Sequence, residues 1–134
     1  MKALCTNNQT YYHISDEPHV EHLENFLSAR DTVSDILIAN QVVEPKKIRR
    51  LAELAGDCNL TVCVDCIENV RALGKAAKEA DTIINCYVEY EIGMQRCGVT
   101  TPAEVYFLAE QIGSYSHLKF GGIQAYAGHV SHTV

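Results

Sequence analysis

From residue 35 onward the chain alternates between two kinds of apolar pattern. Short apolar-rich blocks at residues 35–40, 60–65, 83–90 and 118–126 read as strands, the first two as buried parallel strands. Between them, apolar side chains recur every three or four positions. Ile48, Leu51, Leu54 and Ala55 form one such set, Val70, Leu73, Ala76 and Ala77 a second, and Val105, Leu108, Ala109 and Ile112 a third. That spacing predicts helices over residues 44–56, 67–80 and 100–113. Glu44-Pro45 and Thr101-Pro102 provide helix starts, and Gly56 and Gly113 provide stops. Asp65 reads as the N-cap of the middle helix. Upstream, residues 1–17 show no period and read as irregular. Ser15-Asp16-Glu17-Pro18 then opens a helix reaching about residue 30, with Val20, Leu23, Phe26 and Leu27 at helical spacing.

The order β-α-β-α-β-α-β implies parallel strands joined by right-handed crossovers. No G-x-G-x-x-G follows the first of these strands, which disfavours a dinucleotide-binding sheet. Polar residues gather at each strand's C-terminal end: Asn40 and Gln41, then Asp65, then Glu89 and Glu91, then Gln124 and Tyr126. A single face collecting such residues is the working face of a (β/α) barrel. A closed barrel needs eight units and about four are visible, so the fold class reads as α/β, a partial TIM barrel. Residues 33–134 form this domain, and residues 1–32 form an irregular segment plus one helix. Open strand edges predict poor solubility or self-association of the chain by itself.

Charge and cysteine usage narrow the function classes. With 11 basic and 17 acidic residues, the net charge of −6 argues against a general nucleic-acid or anionic-membrane surface. Lys46, Lys47, Arg49 and Arg50 read as a solvated helix face. No apolar run approaches the ~20 residues of a membrane span, and no signal-peptide pattern follows Lys2, so a cytoplasmic setting is expected. The six cysteines then read as reduced thiols. Cys63-x-x-Cys66 has metal or redox spacing but no second pair, and reads as small buried side chains. His19 and His22 read as exposed polar residues. His129 and His132 read as a loop contact rather than a metal pair.

Residues 88–99 (VEYEIGMQRCGV) concentrate the candidate chemistry, with two carboxylates, an arginine and a cysteine in a loop holding two glycines. Read alone, Arg96 is open to two roles: a structural partner of Glu89 and Glu91, or a binding group. Tyr126 is likewise open between core packing and site lining, and Cys97 reads as packing rather than a nucleophile. Together with residues 36–43 (ILIANQVV) and 121–129 (GGIQAYAGH), this stretch resembles the D-threonine aldolase, D-serine dehydratase and D-threo-3-hydroxyaspartate dehydratase group. That group belongs to the alanine-racemase-like, fold-type III pyridoxal-phosphate enzymes. The resemblance covers about residues 33–132 and leaves the first 30 or so unmatched.

The resemblance implies a pyridoxal-phosphate-binding barrel followed by a β-rich domain, acting as a lyase on D-3-hydroxy amino acids. Arg96 then corresponds to the arginine beside the cofactor's phenolic oxygen. Gln124 and Tyr126 correspond to residues lining the ring, with Asn40 at an analogous strand end and Glu89 and Glu91 supporting Arg96. Glu89 stands where racemases carry a modified lysine, so racemase chemistry is not implied. Retro-aldol cleavage to glycine and an aldehyde is the leading reaction. D-serine or D-threo-3-hydroxyaspartate dehydration is the alternative, and a non-catalytic remnant or binding protein is the third reading. The family's divalent-metal ligands, phosphate-holding glycine loops and much of its homodimer contact lie beyond the matched region. Its Schiff-base lysine has no counterpart, since only Lys2 precedes Lys46 and its surroundings do not match. The chain therefore reads as a fragment, and no catalytic lysine or metal ligand is assigned.

Overall fold

The computed structural model describes residues 2–6, 9–14 and 34–130, the first two segments as backbone only. One sheet contains six strands in the order β1 to β6. They are β1 (Lys2–Thr6), β2 (Gln9–Ile14), β3 (Asp35–Ile38), β4 (Asn59–Val64), β5 (Ile84–Glu89) and β6 (Leu118–Gln124). Helices α1 (Pro45–Leu54), α2 (Ile67–Ala80) and α3 (Pro102–Gly113) join the last four strands. β1 is antiparallel to β2, and every later pair is parallel.

Spatial order equals chain order, and this decides the architecture. Right-handed crossovers between successive neighbours put all connecting helices on one face, as in a barrel wall; a doubly wound sheet must reverse its strand order. Residue alternation follows from that geometry. Ile36, Ile38, Leu60, Val62, Val64, Ile84, Cys86 and Val88 are buried together with Leu51 of α1, Val70 and Leu73 of α2, and Ile112 of α3. The intervening positions Thr61, Cys63, Asn85, Tyr87 and Glu89 alternate with them along β4 and β5. β6 forms the far edge, with Phe120 and Ile123 exposed. At the N-terminal end of the strands, Asn85 Nδ2 donates to Asn59 Oδ1 at 2.6 Å and Asn59 Nδ2 to Asp35 Oδ1 at 2.5 Å. This polar ladder ties three strands together away from the face collecting the candidate chemistry.

Two expectations are corrected. Residues 1–17, irregular by their pattern, contain β1 and β2, and β2 extends the parallel sheet with Tyr11 to Ile14 opposite Asp35 to Ile38. Thr10, Tyr11, Tyr12 and Ile14 favour strands, but Gln9 and His13 hide any simple period. Only the edge of β3 makes the pairing evident. Asp65 does not cap α2: the N-cap position is Cys66, which makes no side-chain cap bond. The Asp65 carboxylate accepts the Gly98 N–H at 3.0 Å instead. Thr101 does cap α3, accepting the Glu104 N–H at 3.2 Å and donating its hydroxyl to the Glu104 carboxylate at 2.8 Å. The helix expected over 15–30, with His19 and His22, lies outside the described residues, as does His132. Among the described residues, no helix is long and apolar enough to cross a membrane.

Candidate functional site

The loop after β5, residues 90–98, is closed at its base by main-chain bonds. Val99 N donates to Glu89 O at 2.8 Å, and Glu91 N donates to Val99 O at 2.9 Å. Residues 90–98 therefore form a closed excursion from the strand end. Its turns need unusual backbone angles: φ is 122° at Gly93, 54° at Gln95 and 110° at Gly98. Glycine is required at 98 for space as well, since an added Cβ would lie 2.8 Å from Glu91 N and 3.1 Å from Glu89 O.

Two carboxylates organise this loop in different ways. Glu91 acts on the backbone: its side chain accepts the N–H groups of Gly93 and, at 3.2 Å, of Arg96. The pair of carboxylates expected to hold the arginine side chain is thus reduced to one. Glu91 shapes the loop that carries Arg96, while Glu89 contacts its guanidinium. The Gly93 N–H, followed by those of Gln95, Met94 and Arg96, holds the Glu91 carboxyl below its ordinary range. A depressed carboxyl stabilises the fold above its unfolded pKa and loses that contribution as pH falls through its folded value. The Gly93 and Arg96 amides are therefore expected to stay protected from hydrogen exchange through the ordinary carboxylate range and to lose protection only at more acidic pH, as the depressed Glu91 carboxyl takes up its proton. Glu91→Gln is expected to flatten that profile; an unchanged acid transition in this variant would show that another group shapes the loop.

Glu89 is 4% exposed, yet both its oxygens are engaged. Oε2 accepts from Gln41 Nε2 at 2.6 Å. Oε1 accepts from Arg96 Nη2 at 3.4 Å and from the Cys97 thiol at 3.3 Å. A buried carboxylate without partners would be costly, so this triple contact explains its tolerance. Arg96 has a side chain 50% exposed, so its ion pair with Glu89 is screened and adds orientation more than stability. Its Cζ stands 5.7 Å from the centre of the half-exposed Tyr126 ring, within cation–π range.

The remaining candidates cluster at the same rim. Gln124 lies opposite Glu89 in the β5–β6 register, and its carbonyl accepts the Tyr90 N–H at 2.8 Å. His129 packs against Gly93, where an added Cβ would meet its Nε2 at 2.9 Å. Asn40 is half-buried just past β3; its neighbour Gln41, not Asn40, reaches Glu89. Sequence reasoning missed Gln41 because nothing local separates it from Asn40. Parallel register carries it to Glu89, 48 residues along the chain.

The thiols are packing groups. Burial first, then the hydrogen bond to Glu89, pushes the Cys97 thiol up, which keeps it a donor. Burial and then Glu89 push Cys63 to about 12, and burial pushes Cys86 to about 12. Cys58, Cys63, Cys66, Cys86 and Cys97 are all unbridged. Among the described residues, no group of three or more His, Cys, Asp or Glu side chains is placed to hold a metal ion.

This donor set fits one edge of a flat heteroaromatic ring bearing an anionic oxygen. An oriented, half-exposed guanidinium supplies the charge and donors, and Tyr126 supplies an adjacent aromatic surface. No lysine stands in the segments that follow β3, β4, β5 or β6: Lys46 and Lys47 lie in α1, Lys75 and Lys78 in α2, and Lys119 near the start of β6.

Comparison with known proteins places this rim in context. The profile of the alanine racemase N-terminal domain matches residues 14–133. The chain is 42% identical over 105 residues to a 3-hydroxy-D-aspartate aldolase of Paracoccus denitrificans (strain Pd 1222), covering 78% of this chain and 27% of that protein. It is 39% identical over 100 residues to a D-threonine aldolase of Arthrobacter sp., covering 75% and 26%. The chain thus spans about a quarter of the length of these curated relatives. The crystal structure of D-threonine aldolase from Filomicrobium marinum superposes with a TM-score of 0.80 at 34% identity, covering 85% of this chain and 30% of that one. An alanine racemase of Clostridium difficile 630 shares the fold, with a TM-score of 0.69 at 15% identity over 87% of this chain and 30% of that one.

Proposed function

Because the chain belongs to the alanine racemase N-terminal domain family, we propose that its rim is one wall of a pyridoxal-phosphate site. The site would serve a cytoplasmic lyase that cleaves D-3-hydroxy amino acids to glycine and an aldehyde. One observation carries the reading: Arg96 is held at a strand end by Glu89 and faces Tyr126, with its guanidinium half open.

When bound, the cofactor supplies an electron sink for the carbanion that forms at the substrate's Cα. The chain's residues bind and orient it. Arg96 would donate to the ring's phenolic oxygen, and its fixed positive charge would keep that oxygen anionic. Glu89 holds the guanidinium in place, and Glu91 holds the loop that delivers it. Tyr126, Gln124 and Asn40 line the ring. No described lysine reaches this rim, so covalent attachment of the cofactor is not assigned to these residues. Metal ligation is not assigned either. The aldolase names of two relatives favour carbon–carbon cleavage over dehydration.

The test is pyridoxal-phosphate binding, followed by absorbance. Arg96→Leu is expected to weaken binding about tenfold, the loss of one charge-assisted hydrogen bond, while Lys119→Ala leaves it unchanged. Equal affinity of the wild-type chain and Arg96→Leu would overturn the reading. With D-threonine as the substrate, this reading makes glycine and acetaldehyde the products. Ammonia with a 2-oxo acid would instead favour the dehydratase.

A further inference from the structure

We propose that Gln41 is a positioning residue that sets the direction of Arg96 by pinning Glu89; the proposal rests on reading the rim as a cofactor wall. The Glu89 carboxylate is buried, so rotation about its terminal bond is the freedom that matters. Gln41 Nε2 holds Oε2 at 2.6 Å, and this fixes where Oε1 points. Oε1 is the oxygen that contacts Arg96 Nη2 and the Cys97 thiol. The arginine's aim is therefore decided in the segment that follows β3, two strands away from β5, whose loop carries it.

Gln41 is itself held by its neighbour. Val42 is 1% exposed and belongs to the apolar core, and its carbonyl accepts the Asn69 side-chain N–H at 2.7 Å. Asn69 lies in α2 at 4% exposure, with Oδ1 lacking a partner among the described residues. An orphaned buried oxygen costs stability. Among the described residues, the Asn69 side-chain bond is to the segment carrying Gln41. α2 thereby clamps the β3–α1 segment from behind while the Gln41 side chain reaches forward to Glu89.

The chemistry of the amide suits this task. A lysine or arginine at position 41 would compete with Arg96 for the carboxylate's charge. A neutral donor fixes the carboxylate while leaving its charge to Arg96. Gln41 thus separates orientation from neutralisation, which a cation in its place could not do.

Two readouts on the full chain test this. The first uses no ligand: guanidinium 15N NMR of Arg96. Restricted rotation is expected in the wild-type chain and faster rotation in Gln41→Leu. The second uses pyridoxine 5′-phosphate, which carries the ring oxygen and the phosphate but no aldehyde for lysines to trap. Gln41→Leu is expected to bind it about fivefold more weakly, the loss expected from one misaligned hydrogen bond. Gln41→Glu is expected to bind weakly at about pH 7.5 and to recover at about pH 5.5, where the introduced carboxyl, crowded by Glu89, takes up a proton and donates again. A purely structural role would give no recovery relative to the wild-type chain, which is measured at the same two pH values because the probe's phosphate also gains a proton between them. Wild-type guanidinium dynamics in Gln41→Leu, or no recovery in Gln41→Glu, would overturn the proposal. Loosened Arg96 dynamics in a chain that fails to bind the probe would support the positioning and reject the cofactor reading instead.

Discussion

Gly98→Ala is expected to destabilise the chain by about 3 kcal/mol and to release the β5 loop, because three constraints meet at this residue. Its φ of 110° is a region that residues with a Cβ rarely adopt. The new Cβ would press on Glu91 N and Glu89 O, both of which are bonded to Val99 across the loop base. The Gly98 N–H is also the group that Asp65 holds from β4's end. Relieving the contact means opening the loop base, and with it the placement of Arg96. Thermal unfolding is the measurement, with Tm expected to fall by about 10 °C for a chain of this size. Gly113→Ala is the control: nothing lies within 4 Å of the added Cβ, and its φ is not positive. That variant is expected to unfold within a few degrees of wild type. Equal behaviour of the two would show that the 89–99 closure contributes little.

Glu89→Ala is the second large effect, expected at about 2–3 kcal/mol. Removing the carboxylate strands Gln41 Nε2 and the Cys97 thiol in a partly buried setting, and each lost partner costs roughly 1 kcal/mol or more. Arg96 contributes less to this figure, since half its side chain already meets water. The functional consequence is larger than the energetic one: without Glu89 the guanidinium loses its carboxylate partner and keeps only its contacts with Cys97 and the Tyr126 ring, and ring-probe affinity is expected to fall about as far as in Arg96→Leu. Glu89→Gln separates the two consequences. The amide oxygen can still accept from Arg96 and Cys97, while the new NH2 meets Gln41, whose amide must turn over to accept it, so urea unfolding should place this variant within about 1 kcal/mol of wild type. Its neutral oxygen holds the guanidinium weakly, so probe binding still drops. If both variants lost stability equally, the carboxylate's charge would be the structural requirement and the hydrogen-bond geometry would be secondary.

The Gln41 and Glu89 variants describe one device from two ends. Gln41 sets the carboxylate, the carboxylate sets the guanidinium, and Glu91 shapes the loop between them. Disturbing Gln41 leaves charge intact and loses aim; disturbing Glu89 loses both.

Much of this protein is legible from local pattern. α2 occupies residues 67–80, as its apolar spacing predicts, because helical periodicity is a property of neighbouring residues. The strands after residue 34 lie within a few residues of the apolar blocks, and the segment holding Arg96 stands out by its mixture of charge and glycine. The Thr101-Pro102 helix start is also correct, since a cap and its target are three residues apart. What the pattern could not reveal depends on chain segments meeting across the sheet. β1 and β2 need the edge of β3 to be recognised as strands. Asp65 looks like a cap until a loop 33 residues later presents Gly98 N–H to it. Glu91 and Glu89 look equivalent beside Arg96 until the loop closes, turning one toward the backbone and the other toward the guanidinium. Gln41 and Asn40 differ only once parallel register brings one of them to Glu89. The sequence by itself determined the βα alternation, the helix limits and the presence of Arg96. Only the tertiary structure decided which polar groups serve it, because hydrogen bonds over 33 and 48 residues depend on strand register rather than on neighbours in the chain.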